Sequence, residues 1–360
     1  MKLTAKWGIL IGAVLITAGA VFFAGWRIWQ KTIRTQGRPL DAAQREELKR
    51  KLDDNPKSIF IYDPITSYRL KPNFRGLRHD SEALPHVTNS SGILGEEEVN
   101  PDPGVTGILF LGDSVAYGEH VSHPETFISR MGEMSGPGFQ LLNAGCPGWS
   151  THQELLAYRN YFSRLPIDAV AIVFALNDLL RFEWIWRDGE SFRMSAELRG
   201  LGGLAHSRFT SSALKKIRER FWERPELKPL AGLNNTCLNA YLPESWEEFF
   251  RRNGPALKKI ASEKILLFIS VPARPQLEAL NAGGDADVVL FPQRQLEEFC
   301  RKNRIVYIDS LEAFEKEGGG YDTSLFFGGG IGLLHLSPRG HEAAADFLWP
   351  RIESSVIRNQ

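Results

Sequence analysis

The chain has 360 residues, 43% of them hydrophobic and 24% charged, and its 43 Lys and Arg residues balance 43 Asp and Glu residues. This length and composition exclude a disordered chain, and the lack of net charge argues against general nucleic-acid binding. The three cysteines, Cys146, Cys237 and Cys300, lack a Cys-x-x-Cys spacing, which argues against a disulfide scaffold and metal-dependent folding.

The N-terminus carries an uncharged apolar run, Gly8–Trp26. At about 1.5 Å per residue the run spans most of the ~30 Å hydrocarbon core of a bilayer, and it predicts a transmembrane helix within residues 1–29. Large C-terminal domains translocate regardless of flanking charge, so we expect the rest of the chain to be periplasmic or otherwise extracytoplasmic. We expect an uncleaved anchor, although the Ala-Gly-Ala triplet at residues 18–20 leaves cleavage by signal peptidase open.

Residues 30–105 are predicted to form a stalk and a wrapping segment. Residues 41–54 are polar with helical propensity and predict a solvated helix. Between Ser58 and Glu98 the scattered Pro, Gly and Asn residues predict turns and extended pieces along the edge of a domain.

Residues 106–350 show the pattern of an α/β domain. Continuously apolar runs predict strands buried on both faces, as in a parallel sheet, and the helical stretches between them predict a three-layer α/β/α sandwich. The five predicted strands are Ile108–Leu111, Gln140–Asn143, Ala169–Phe174, Lys264–Val271 and Arg304–Ile308, and the predicted helices include Glu125–Met134, His152–Leu165 and Pro292–Asn303.

Polar residues collect where these strands end. Ser114 follows the first strand, Gly145 the second and Asn177 the third, while His335 stands near the C-terminus. Ligands of such sheets bind beyond the carboxyl ends of the strands. A hydroxyl, an imidazole and two oxyanion donors are the groups that acyl transfer needs.

In these motifs, Gly112-Asp113-Ser114, Asn143-Ala144-Gly145, Asn177-Asp178 and the His335 segment, the chain resembles the SGNH (GDSL-type) hydrolase family. The resemblance implies that Ser114 is the nucleophile and His335 the base. It also implies an oxyanion hole formed by the N–H groups of Ser114 and Gly145 and the Asn177 amide. It implies no cofactor and no metal, and an ester-bearing substrate. Residues 62–95 also resemble the segment that precedes this motif in anchored bacterial members.

Two positions depart from the family pattern. Ala175 stands where the family usually has Gly, and Gly332 stands where an Asp usually orients the histidine. In a serine protease, disabling that carboxylate costs about 10⁴ in turnover. Three explanations stay open: a backbone carbonyl orients His335 in a Ser-His dyad, Asp322 folds back as the acid, or the protein binds without hydrolysing.

Residues 179–262 are long for one crossover and predict an insertion. The insertion either packs its own aromatic residues, such as Trp184, Trp186 and Trp246, or caps the site and stacks them on a sugar or an acyl chain. We expect His341 to be structural, and the alternative base if His335 proves remote. Cys237 and Cys300 could pair in an oxidising compartment.

The apolar N-terminal run and the resemblance together predict a membrane-anchored serine esterase of the bacterial cell envelope, which acts on O-acyl groups, such as O-acetyl groups, of glycans, lipids or small esters. An O-acyltransferase using the same site and a glycan-binding protein without catalysis are the alternatives.

Overall fold

The structure is a computed structural model that describes residues 42–55, 58–77, 84–179, 182–187, 190–195, 230, 233, 237, 239–241, 243–328 and 333–359. The predicted membrane segment, much of the predicted insertion and Gly332 lie outside these ranges. None of the helices within them combines the length and the apolar character that crossing a bilayer requires.

The centre of the fold is a five-stranded parallel sheet, as the apolar runs predicted. Its strands are β5 (Thr106–Gly112), β6 (Phe139–Asn143), β7 (Ala169–Phe174), β10 (Ile265–Ser270) and β11 (Val306–Asp309). They lie in the order β11-β10-β7-β5-β6. The chain leaves β5 towards β6 and then returns to the other side for β7, so the carboxyl ends of β5 and β7 form the crevice where such sheets bind ligands.

Helices cover both faces of the sheet. In chain order they are α1 (Ala42–Asp53), α2 (Ser114–Tyr117), α3 (Phe127–Met134), α4 (Thr151–Ala157), α5 (Pro243–Glu263), α6 (Arg274–Asn281), α7 (Ala286–Val289), α8 (Phe291–Asn303) and α9 (Pro338–Asn359). Alternate residues of a strand point to opposite faces, so Leu109 joins the core under α4, α5 and α8, whereas Phe110 joins the core under α3 and α9. The result is a three-layer sandwich with two apolar cores.

The segment before the sheet packs more closely than the sequence predicted. Helix α1 was expected to be a solvated stalk, but Leu48 and Leu52, one turn apart, are both fully buried. The hairpin of β1 (Phe60–Asp63) and β2 (Ser67–Leu70) contributes Tyr68 to the same core. Tyr68 also donates its hydroxyl to the carbonyl of Pro147, at 2.8 Å. A second hairpin, β3 (Arg75–Leu77) with β4 (Pro85–Val87), completes the segment.

The predicted insertion is only partly a separate feature. Its first part forms the antiparallel hairpin β8 (Phe182–Arg187) and β9 (Glu190–Ser195). Its last part is helix α5, which belongs to the sandwich, because Trp246 is buried with its ring centroid 5.6 Å from that of Phe174 on β7. Trp246 is therefore a core residue and not a cap residue. The buried residues Cys237 and Cys300 are not joined in a disulfide.

Candidate active site

The hydroxyl of Ser114 lies at the tight turn between β5 and α2. Asp113 caps this short helix, since its Oδ1 accepts the N–H of Val115 at 2.8 Å. Gly112 permits the turn, because a Cβ there would meet the Cβ of Ala116 at 2.6 Å. Asp113 and Val115 are buried while Ser114 remains partly exposed, so the serine is the residue of this turn that a substrate can reach.

His335 reaches this serine from the far end of the chain. Its Nε2 lies 2.9 Å from the Oγ of Ser114, a hydrogen-bond distance between residues 221 positions apart. The histidine segment is fixed from behind, because the N–H of Phe327 donates to the His335 carbonyl at 2.9 Å and that of Ser337 donates to Leu325 at 2.8 Å. A nucleophile and a base are thus in direct contact.

Asn177 stands beside the serine. It lies on the 3₁₀ turn Leu176–Leu179 after β7, and its Nδ2 donates to Oδ2 of Asp113 at 2.7 Å. The Ser114 Oγ lies 3.2 Å from the same oxygen. Asp178 braces the turn, since its Oδ2 accepts the N–H of Ala175 at 2.8 Å. An amide nitrogen carries two hydrogens, so one N–H of Asn177 remains for a substrate oxygen.

Gly145 lies in the loop after β6, but the structure contradicts its predicted role as an oxyanion donor. Its N–H donates to Oδ1 of Asn143 at 3.0 Å, while Nδ2 of Asn143 donates to the carbonyl of Ala116 at 2.8 Å. A Cβ at residue 145 would lie 2.5 Å from the backbone N of Tyr117. Gly145 therefore lets this loop approach α2, and its own N–H is already used.

The N–H that this loop leaves available belongs to Gly148, which the sequence analysis missed. Pro147 and Gly148 are the two central residues of a turn in which the N–H of Trp149 donates to the carbonyl of Cys146 at 3.1 Å. The φ of Gly148 is +77°. Proline followed by a residue with positive φ is the type II pattern. Gly148 is buried, yet across the described part of the chain its N–H meets no acceptor. The Pro-Gly pair is the sequence signal that could have identified it.

Three carboxyl groups are buried beneath the serine: Asp113, Glu154 on α4, and Asp178. Burial raises the pKa of Glu154 well above its usual 4.5, and the neighbouring Asp113 raises it further. The pKa values of Asp113 and Asp178 are also raised, mainly by burial. Within the described ranges both carboxyl oxygens of Glu154 and Oδ1 of Asp178 have no hydrogen-bond partner. The cluster therefore retains protons that exposed carboxyls would lose.

Asp322, the possible acid in the sequence, is hydrogen-bonded within its own turn. Asp322 caps the 3₁₀ turn Thr323–Leu325, where its Oδ1 accepts the N–H of Ser324 at 3.0 Å and the Ser324 hydroxyl at 2.6 Å. These hydrogen bonds lower the pKa of Asp322, and among the described residues it makes no contact with His335. The structure does not bring the proposed acid to the base.

His341 has the structural role that the sequence predicted. It is buried on α9, and its Nδ1 accepts the N–H of Phe127 at the start of α3, at 3.1 Å. Burial, with a smaller contribution from the charge of His335, lowers the pKa of His341 to about 3. A neutral imidazole that caps a helix is not available as the base. The described ranges contain no group of three or more His, Cys, Asp or Glu residues that could hold a metal ion.

The sequence profile of the GDSL-like Lipase/Acylhydrolase family matches residues 110–343, so the chain belongs to this family. No curated protein sequence matches it. A solved G-D-S-L family protein from Desulfitobacterium hafniense is 11% identical, with 68% of this chain and 98% of that one covered and a TM-score of 0.40.

Two solved esterase structures have similarly low sequence identity to this chain. A carbohydrate acetylesterase family member from Sinorhizobium meliloti is 12% identical, with 70% of this chain and 99% of that one covered and a TM-score of 0.40. A mutant of the acetyl-xylooligosaccharide esterase Axe2 from Geobacillus Stearmophilus is 12% identical, with 70% of this chain and 96% of that one covered and a TM-score of 0.42. Similarity at this low sequence identity and TM-score does not indicate the substrate of this chain.

Proposed function

We propose that the protein is a serine esterase in which Ser114 is the nucleophile and His335 the general base. The observation that carries the proposal is the 2.9 Å contact between Oγ of Ser114 and Nε2 of His335, beside the Asn177 amide. This arrangement supplies a hydroxyl, a proton acceptor within hydrogen-bond reach, and a fixed donor at one edge of the sheet.

In the acylation half-reaction, His335 takes the hydroxyl proton while the Ser114 oxygen bonds to the ester carbonyl carbon. The oxyanion is held by the N–H groups of Ser114 and Gly148 and by the free N–H of Asn177, each worth about 3 kcal/mol at the barrier. When the carbon–oxygen bond of the ester breaks, His335 returns its proton to the departing alcohol. Water, deprotonated by His335, then attacks the acyl carbon. When the bond from that carbon to Ser114 Oγ breaks, His335 returns the proton to Oγ and the carboxylic acid is released.

Asp322 is not part of this proposal, because its carboxylate is committed to Ser324. We assign the chemistry to a Ser114–His335 dyad. The dyad deprotonates the serine in the same way as a triad, and its base is oriented by groups other than Asp322.

The substrate class we propose is an O-acyl ester, such as an O-acetyl group, on a cell-envelope glycan, a lipid or a small ester. The uncharged run Gly8–Trp26 supports a membrane anchor, with the catalytic domain on the extracytoplasmic side. An enzyme tethered there would meet envelope esters at a high local concentration.

The test is hydrolysis of short-chain p-nitrophenyl esters by the full chain in detergent. Wild type is expected to turn over acetate and butyrate esters, and Ser114→Ala and His335→Ala are expected to abolish turnover. Ser163→Ala is the matched control, because that exposed serine only donates to the carbonyl of Arg159. Absence of hydrolysis by a folded wild-type protein would contradict the proposal.

A further inference from the structure

His120 adopts a left-handed backbone conformation, which is uncommon for residues other than glycine. Its φ is +74°, in the left-handed region. The residue occupies the third position of a turn in which the N–H of Val121 donates to the carbonyl of Gly118 at 3.2 Å. Glycine is the usual residue at a turn position with positive φ, because any Cβ is strained there. Backbone strain of this kind clusters at active sites, and here it places an imidazole beside the proposed base.

The ring of His120 packs against the proposed base. Its centroid lies 5.0 Å from that of the His335 ring, with the ring planes at 60°. It also meets the ring of Phe327 nearly edge to face, at 5.4 Å and 75°. The contact with Phe327 has the edge-to-face geometry that aromatic rings prefer. His120 is therefore a direct neighbour of His335 on the side where Phe327 stands.

These contacts close a triangle around the base. The N–H of Phe327 donates to the backbone carbonyl of His335, the Phe327 ring meets His120, and the His120 ring meets the His335 ring. The base is thus held through its backbone by Phe327 and through its ring by His120. The turn that carries His120 is itself tied to α2, because the N–H of Glu119 donates to the carbonyl of Ser114 at 2.9 Å.

Contacts that hold the ring of the base matter for the rate of the reaction. The resemblance to SGNH hydrolases implies an orienting carboxylate at residue 332, which is Gly in this chain, and Asp322 is hydrogen-bonded to Ser324. An imidazole must keep its Nε2 directed at the nucleophile to act as a base, and small displacements of reacting groups cost large factors in rate.

We propose that His120 is a positioning residue for the base. With Phe327 it packs the His335 ring into the orientation that directs Nε2 at Ser114 Oγ. The proposal rests on the esterase function proposed above.

The test uses three variants of the full chain, assayed with p-nitrophenyl acetate. His120→Gly relieves the backbone strain and removes the ring, so the melting temperature is expected to stay the same or rise while kcat falls about 10- to 100-fold at unchanged KM. His120→Phe keeps a ring without a titratable nitrogen, and it is expected to keep most of the activity and the wild-type pH profile. A merely structural residue would lose stability and activity together.

Arg304→Gly is the matched control. Arg304 is another non-glycine residue with positive φ, 56°, but it ends helix α8 at the opposite end of the sheet from the serine. Its replacement is expected to stabilise the protein without changing kcat. If His120→Gly retains wild-type kcat, the positioning role is wrong while the esterase proposal stands. If His120→Phe loses as much as His120→Gly, the imidazole itself is required and packing is not the explanation. If wild type hydrolyses no ester, the proposed function fails first.

Discussion

Asp113 holds Asn177 through a 2.7 Å hydrogen bond from the amide Nδ2 to the carboxyl Oδ2. The Ser114 hydroxyl reaches the same oxygen at 3.2 Å, so one buried carboxyl fixes the spacing between the proposed nucleophile and a proposed oxyanion donor. The orientation of the amide is therefore set before substrate arrives, as electrostatic preorganisation requires.

Replacing Asn177 by Ala is expected to lower kcat by about 10²- to 10³-fold with little change in KM, because the lost donor acts on the oxyanion and not on the bound ester. Steady-state kinetics with p-nitrophenyl esters measure both constants. Asn160→Ala is the control, since this asparagine donates only to the carbonyl of Leu156 on an exposed surface. Wild-type kcat in the Asn177→Ala variant would show that Asn177 is not an oxyanion donor.

The Gly145→Ala substitution tests the assignment of Gly145 as a packing residue. The added Cβ would lie 2.5 Å from the backbone N of Tyr117, so α2 must shift and carry Ser114 with it. We expect a loss of about 1–3 kcal/mol in the free energy of unfolding together with a fall in kcat. Gly132→Ala on α3 is the control, because its Cβ would meet nothing within 4 Å and alanine is the better helix former. Wild-type stability in the variant at residue 145 would show that the loop has room.

The Asp322→Asn substitution separates a dyad from a triad. Asparagine can still cap the turn Thr323–Leu325, so both stability and kcat are expected to stay close to wild type. Thermal unfolding and ester turnover report the two quantities. A fall in kcat approaching 10⁴-fold would instead identify Asp322 as the acid that orients His335.

Glu154→Gln is expected to stabilise the protein increasingly as the pH rises. The folded-state pKa of Glu154 is raised by burial, so the wild type has its full stability below the unfolded-state value of about 4.5 and loses stability as the pH rises towards the folded-state value. A glutamine side chain has no such proton to lose. Its amide is also a hydrogen-bond donor, and Oδ1 of Asp178 and Oδ1 of Asn177 are buried acceptors without a donor in the described ranges. Denaturant unfolding at pH 5 and pH 8 should show the larger gain at pH 8. An equal gain at both values would mean that Glu154 has an ordinary pKa.

The sheet was predictable because its strands are continuously apolar, and β7, buried at every residue, has the same bounds as its predicted run. Ser114 and Asn177 were predictable because they follow β5 and β7 directly, and the carboxyl ends of parallel strands face the ligand-binding crevice in this fold. The packing of α1 was missed because Leu48 and Leu52 are two apolar residues in a polar helix, and only their burial shows which way the helix faces.

The donor in the β6 loop was misassigned for a different reason. Sequence offers both Gly145 and Gly148, and the choice depends on whether the Asn143 side chain has already taken one N–H. That contact exists only after the loop folds against α2. The contact of His120 with His335 likewise joins residues far apart in the chain, so no local sequence pattern predicts it.

The most direct measurement is covalent labelling of the full chain with a fluorophosphonate, followed by peptide mapping. We predict one adduct, on the peptide that contains Ser114, which disappears in Ser114→Ala and forms far more slowly in His335→Ala. A folded protein that takes up no label, or an adduct on another serine that survives Ser114→Ala, would contradict it.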